Sequence, residues 1–330
     1  MKQLLSALFT LAALSAALCV SAAAEEAAPT GVPAEEPEQA PAFVRVWGRV
    51  SPWDGDGIFL KNDSKNDPLN EVVVHPGEAP AVDAVTGLPL DLKSVREGDT
   101  LYAWAGPAMT LSLPPQIAAE IIVGNIPAGF RVPEYCEVAG RASAGESGFR
   151  IPLSGGGVLE VTDKTAYTPW LTRQIVRMED LTPGTRALVW KNAEGAAEKV
   201  LVFPCACRGY VSVRSGGDGA RIAVNGGFDP ELDKDVPQII CKQTEAGVMA
   251  PIRAVAEAAG YSVSWDKNRG AVVYDGNADV VFYAYPGDNV VWTPERGETT
   301  IFTPCLKEGG TTYLPLAELC RFLNLFLVSE

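Results

Sequence analysis

Apolar and polar positions along this chain keep two different periods. From residue 42 to 206 they fall in short strand-like runs, such as Leu101-Tyr102-Ala103-Trp104 and Lys199-Val200-Leu201-Val202, separated by Gly, Asp and Asn turns. Runs of that kind predict small antiparallel barrels or sandwiches. The stretch divides into two all-β modules, 42–130 and 133–206, and the second weakly repeats the first. Val95-Arg96-Glu97-Gly98-Asp99 is echoed by Leu181-Thr182-Pro183-Gly184-Thr185, and Leu101–Trp104 by Ala187-Leu188-Val189-Trp190.

Beyond residue 209 a helical period enters. Ile252, Val255, Ala256 and Ala259 fall on one helix face, and 64 residues later Leu316, Leu319, Cys320 and Leu323 do the same. Each run opens on proline, Pro251 or Pro315, expected at the first helical position, where a fixed φ and a missing N–H cost nothing. Each closes on Gly260 or Asn324, the two residue types best suited to a left-handed helix end. The alternating Ser262-Val263-Ser264-Trp265 then predicts a strand. Residues 209–330 therefore read as one α+β domain of two strand–helix–strand pseudo-repeats. The expected fold is multidomain, two small antiparallel β-modules followed by this domain.

The first 41 residues belong to neither pattern. Lys2, an apolar run from Leu4 to Val20 and the small residues Ser21–Ala24 have the order of a secretory signal over 1–24. The run is shorter than the roughly 20 residues that span a bilayer, and Leu18 before Cys19 argues against a lipid-modified cysteine. The Ala-, Glu- and Pro-rich stretch 25–41 lacks aromatic residues and is expected to be a disordered tether.

Charge and composition then remove whole classes of function. With 41 acidic against 27 basic residues and a net charge of −14, the chain is a poor partner for nucleic acid or anionic lipid. A single histidine, His75, stands at a strand end without a nucleophile motif. Asp54-Gly55-Asp56-Gly57 and Asn62–Asp67 offer oxygen ligands but lack the spacing of a calcium loop; they read as turns. No catalytic residue, metal ligand or cofactor is expected. Outside the signal, Cys136, Cys205, Cys207, Cys241, Cys305 and Cys320 permit 15 disulfide connectivities.

The string Val248-Met249-Ala250-Pro251-Ile252-Arg253-Ala254, followed by Gly260 and by Val263-Ser264-Trp265-Asp266, resembles the copper amine oxidase N-terminal-like (stalk-type) domain of secreted Gram-positive proteins. Thr311-Thr312-Tyr313-Leu314-Pro315-Leu316 resembles the second half of that domain. The resemblance implies structural roles for Pro251, Arg253, Gly260, Trp265, Asp266 and Pro315. It implies a non-catalytic accessory module and does not imply copper, because the family name derives from an appendage of the oxidase; amine oxidation itself needs three histidine ligands and a cofactor-forming tyrosine, and the chain has one histidine.

Comparing the two β-modules isolates an insertion in the first, around 106–116, with Met109, Pro114, Pro115 and Gln116. A loop present in one copy alone is a candidate binding site, although its Met and Leu side chains are expected to cover a barrel end or a neighbouring domain. Trp53, Trp170 and Trp292 each lie within two residues of a proline and are expected at loop edges, where indoles stack on sugars. Trp47, Trp104, Trp190 and Trp265 are expected in the core. Together these features suggest a secreted cell-envelope binding or scaffolding protein that recognises wall polymer, glycan or an extracellular protein. The alternative is a carboxylate-dependent hydrolase.

Overall fold

Strands dominate: the computed structural model describes residues 42–216 and 219–328, and among them are 25 strands and two short α-helices. The expected signal and tether lie outside the described residues.

The first sheet is built from β1 (Val44–Ser51), β2 (Ile58–Lys61), β3 (Glu71–His75), β4 (Ala81–Asp83), β5 (Thr100–Ala105) and β6 (Gln116–Gly124). β1 pairs antiparallel with β2 and β5, β2 with β3, and β5 with β6. The start of β6 also pairs with β3, Gln116 opposite Val73 and Ala118 opposite His75. That pairing is parallel and closes β1-β2-β3-β6-β5 into a five-stranded barrel, which corrects the purely antiparallel expectation. Closure demands it, because β6 returns along β3 only after the β4–β5 excursion. Val46, Leu60, Val72, Val74, Leu101 and Ile122 fill the interior.

The second module contains β7 (Glu134–Glu137), β8 (Ser143–Ala144), β9 (Phe149–Pro152), β10 (Val158–Val161), β11 (Ala166–Pro169), β12 (Arg186–Lys191) and β13 (Ala197–Val202). The turn Leu153–Gly157 joins β9 to β10 as a hairpin. β12 and β13 pair antiparallel, and β11 lies parallel to β13. In the first sheet β4 lies parallel to β6 in the same way. A register shift follows Trp104 in β5 and Trp190 in β12.

Those two tryptophans face each other's module. Val82, Ala84, Trp104, Ile121 and Val123 share one apolar cluster with Tyr135, Leu188, Trp190, Leu201 and Phe203. The Trp190 indole donates to the Ala84 carbonyl at 2.7 Å, and Lys199 Nζ reaches the Thr86 carbonyl at 2.7 Å. Arg186 ties Glu120 at 2.6 Å to Glu137 at 3.1 Å across the same seam.

The last third holds β14 (Gly209–Gly216), β15 (Gly219–Val224), β16 (Gln238–Thr244), β17 (Gly247–Pro251), α1 (Ile252–Ala258) and β18 (Ser262–Asp266). It continues with β19 (Gly270–Tyr274), β20 (Val280–Ala284), β21 (Val290–Thr293), β22 (Gly297–Thr300), β23 (Leu306–Glu308), β24 (Thr311–Pro315), α2 (Leu316–Phe322) and β25 (Leu325–Leu327). One sheet runs β23-β24-β17-β16-β15-β14-β25 and a second runs β18 to β22 in order. Ile252, Val255 and Ala256 of α1 and Leu316, Leu319 and Cys320 of α2 enter a single core with both sheets. Pro251 and Pro315 cap the helices from extended backbone, one residue earlier than expected, because each still belongs to its strand. Gly260 and Asn324 adopt positive φ, 82° and 52°.

This third is also fixed to the second module. Arg141 Nη1 meets Asp233 Oδ2 at 2.5 Å, and Asn324 Nδ2 donates to the Ala206 carbonyl at 2.6 Å. Among the described residues the thiols are free: Cys241, Cys305 and Cys320 are buried and Cys205 is exposed.

Candidate functional site

Alternation along β2 and β3 leaves Phe59, Val73 and His75 on the outside of the barrel, while Leu60, Val72 and Val74 point in. Phe59 lies directly opposite Val73. The β1–β2 turn folds over this face. Trp53 sits 5.4 Å from the Phe59 ring centroid, and its indole N–H reaches the Asp56 carbonyl at 3.3 Å. Gly57 permits the turn with φ 102°; a Cβ there would lie 2.9 Å from Val73 Cγ1 and 3.3 Å from His75 Cε1.

The 106–115 loop borders the same face from the β6 side. Val73 N donates to the Pro115 carbonyl at 2.9 Å, and Gln116 Oε1 lies 2.9 Å from His75 Nε2. Thr110 and Ser112 hold the loop internally, Thr110 Oγ1 accepting from Gln116 N at 2.9 Å and Ser112 Oγ donating to the Pro114 carbonyl at 2.9 Å. Its apolar side chains point outward: Met109 is 40% exposed, Leu111 and Leu113 almost completely. The expectation that they cover a barrel end or a neighbouring domain is therefore corrected. With Leu111 and Leu113 in solvent, the loop packs neither side chain on the barrel or on the next module. The structure thus places Trp53, Pro115 and Gln116 around one face, with Met109 and Pro114 in the loop that borders it.

The remaining tryptophans separate. Trp170 follows β11, half-buried, 5.5 Å from the Phe203 ring, and lines a cleft of 220 Å³ with Thr172, Gln174, Asp180 and Cys205. Trp292 is not at a loop edge. It lies inside β21 opposite Tyr283, their rings stacked at 5.0 Å and 13°, a cross-strand pair of the kind that stabilises sheets. Trp47 is half-buried and stacked on Tyr102 at 5.8 Å. Trp265, expected in the core, is 47% exposed because β18 is the edge strand of its sheet. Lys307 Nζ lies 4.0 Å above its ring.

Of the other family-motif residues, Arg253 donates to the Val263 carbonyl at 2.7 Å and to Glu257 at 3.0 Å, tying α1 to β18. Asp266 accepts from Asn268 N and Arg269 N, and these two bonds hold its carboxyl below the usual range.

The oxygen-rich turn Asn62–Asp67 is explained by its own bonds. Buried Asn62 donates to the Trp47 carbonyl at 3.0 Å and accepts from Ser64 N at 2.9 Å, and Asp67 accepts from Leu69 N at 2.9 Å. Among the described residues no three His, Cys, Asp or Glu side chains gather as a metal would require.

Sequence reasoning missed Phe59 and treated His75 as merely structural. The alternation of β2 did mark Phe59 as outward, but only the Phe59–Val73 register shows that it shares a face with Trp53.

Residues 231–325 match the copper amine oxidase N-terminal domain. No curated protein and no solved structure matches the chain. β14 and β15 precede the matched stretch yet complete its sheet, β15 beside β16 and β14 beside β25. Within the C-terminal third, residues 231–325 are thus similar to the copper amine oxidase N-terminal domain, the family that the Pro251, Gly260 and Trp265 motif resembles.

Proposed function

We propose that this is a secreted, non-catalytic binding or scaffolding protein of the Gram-positive cell envelope. In this reading it holds a wall polymer or glycan on the outer β2–β3 face of its first barrel. The observation that carries the reading is the convergence of the Trp53 turn and the 106–115 loop on that face. Five-stranded Greek-key barrels of this strand order bind oligosaccharides and oligonucleotides there. Fold alone does not choose between the two. The residues favour sugar: Trp53 and Phe59 offer flat apolar surface, whereas Asp54 and Asp56 in the turn repel phosphate, and the 106–115 loop has no cation.

The rest of the chain fits an accessory role. The matching pairings around β5–β6 and β12–β13 support two related β-modules. The 64-residue offset supports an α+β domain of two pseudo-repeats. The family match falls on an N-terminal domain of the oxidases, and one histidine cannot supply their copper ligands.

Co-sedimentation of residues 25–330 with isolated Gram-positive cell walls, with the supernatant assayed for released fragments, tests the reading. Retention that falls several-fold in Trp53→Ala is expected. Release of fragments would favour a hydrolase, and no retention would leave a spacer or a protein-partner module.

A further inference from the structure

Arg253 of α1, Trp265 of β18 and Lys307 of β23 come from three separate elements and line one groove of 320 Å³ in the C-terminal domain, together with Ser264, Thr311 and Thr312. In a chain with a net charge of −14, no carboxylate lines this groove. Arg253 is held in place by the Val263 carbonyl and by Glu257, which stands outside the lining. Lys307 is exposed, and among the described residues no carboxylate lies within ion-pair distance of it. Its neighbour Glu308 pairs instead with Lys242. The indole beneath Lys307 orients the ammonium by cation–π attraction without neutralising it. Trp265 still exposes 47% of its surface, and the threonine and serine hydroxyls offer further hydrogen bonds.

A half-exposed indole, an ammonium held over one of its faces and a guanidinium lining the same groove are complementary to one ligand chemistry. We propose that this groove binds an acidic saccharide, a sugar or polyol unit carrying a carboxylate or a phosphate. The site is separate from the barrel face and does not depend on the barrel reading. Lys307, without a carboxylate partner among the described residues, gives it the anionic preference that the Trp53 face lacks.

The test uses residues 25–330 and three probes followed by titration calorimetry: oligogalacturonate, poly(glycerol phosphate) and a neutral cello-oligosaccharide. Binding of at least one acidic probe is expected, weakening as salt rises and falling about tenfold in Lys307→Ala. Trp53→Ala should leave that binding unchanged, which separates failure here from failure of the barrel site. Which acidic probe binds distinguishes carboxylate from phosphate. Lys307 is exposed, so the variant is expected to fold, and an unchanged far-ultraviolet circular dichroism spectrum and melting temperature would verify it. Trp265→Phe, which keeps an aromatic plate, should bind more tightly than Trp265→Ala. Equal affinity in wild type and Lys307→Ala, or no heat with either acidic probe at millimolar concentration, overturns the proposal.

Discussion

Ala250 and Leu314 lie directly opposite each other in the antiparallel pair β17–β24, and they are 64 residues apart, the offset that relates the two helices. The flanking pairs are Met249 with Pro315 and Pro251 with Tyr313. A shift of 64 turns one flanking pair into the other, 249 and 315 becoming 313 and 251, as a twofold axis between Ala250 and Leu314 requires. The outer hairpins follow suit: Lys242 opposes Met249 and Leu306 opposes Tyr313. Symmetry stops after the helices, where β18 joins the second sheet and β25 closes the first beside β14.

Both residues at that axis are completely buried. Leu314→Ala leaves a cavity between α1, α2 and the sheet and is expected to cost about 2–4 kcal/mol. The urea midpoint, followed by circular dichroism, would show it. A loss below about 1 kcal/mol would mean that the pair is not central to the core.

Gly57 is expected to act on binding through position. Alanine at φ 102° is strained and its Cβ meets Val73 and the Val74 carbonyl at 2.9 Å. Gly57→Ala should lower stability by about 1–2 kcal/mol and reduce wall retention by displacing the Trp53 turn. Full retention in a folded variant would detach that turn from the site.

The seam between the β-modules rests partly on one indole hydrogen bond. Trp190→Phe keeps an aromatic ring but leaves the Ala84 carbonyl unpaired, a loss of about 1–3 kcal/mol. Thermal unfolding measures it, and an unchanged melting temperature would show that water replaces the bond without cost.

Asp233 links stability to pH. Burial pushes its carboxyl up, but hydrogen bonds from Arg141 and from the Gly227 and Asp229 backbone outweigh burial and hold it below the usual carboxylate range. The carboxyl is therefore harder to protonate folded than unfolded. Its contribution is complete above the ordinary aspartate range near 4 and is lost as pH falls through the lower folded value. Arg141 is partly exposed, so the pair is expected to contribute about 1 kcal/mol. Asp233→Asn should lower stability at pH 7 and flatten the acid limb of the stability curve. Parallel curves for the two proteins would remove this pair from the account.

Thiol chemistry should divide the cysteines sharply. Burial pushes the Cys241, Cys305 and Cys320 thiols up to about 12, and the thiolate is the reactive form. Brief iodoacetamide treatment of the native protein, mapped by mass spectrometry, should label exposed Cys205 and leave these three untouched until denaturant is added. Rapid labelling of any of the three would show that the core opens.

The sequence alone determined what is local. Alternation located the strands, the 3.6-residue period located α1 and α2, and Gly260 and Asn324 ended them because few other residues tolerate positive φ. Motif residues marked the C-terminal domain, and comparison of two weakly similar stretches singled out the 106–116 insertion. Tertiary structure decided everything that depends on which strand lies beside which. Trp265 and Trp292 sit in similar alternating runs, yet one is exposed at a sheet edge and the other is stacked on Tyr283. No local pattern distinguishes an edge from an interior strand. Closure of the barrel through the parallel β3–β6 pair likewise joins residues 41 or more apart in the chain, Gln116 beside His75. It is that pairing, set by the burial of both inner faces together, that brings Trp53 and the 106–115 loop to one face.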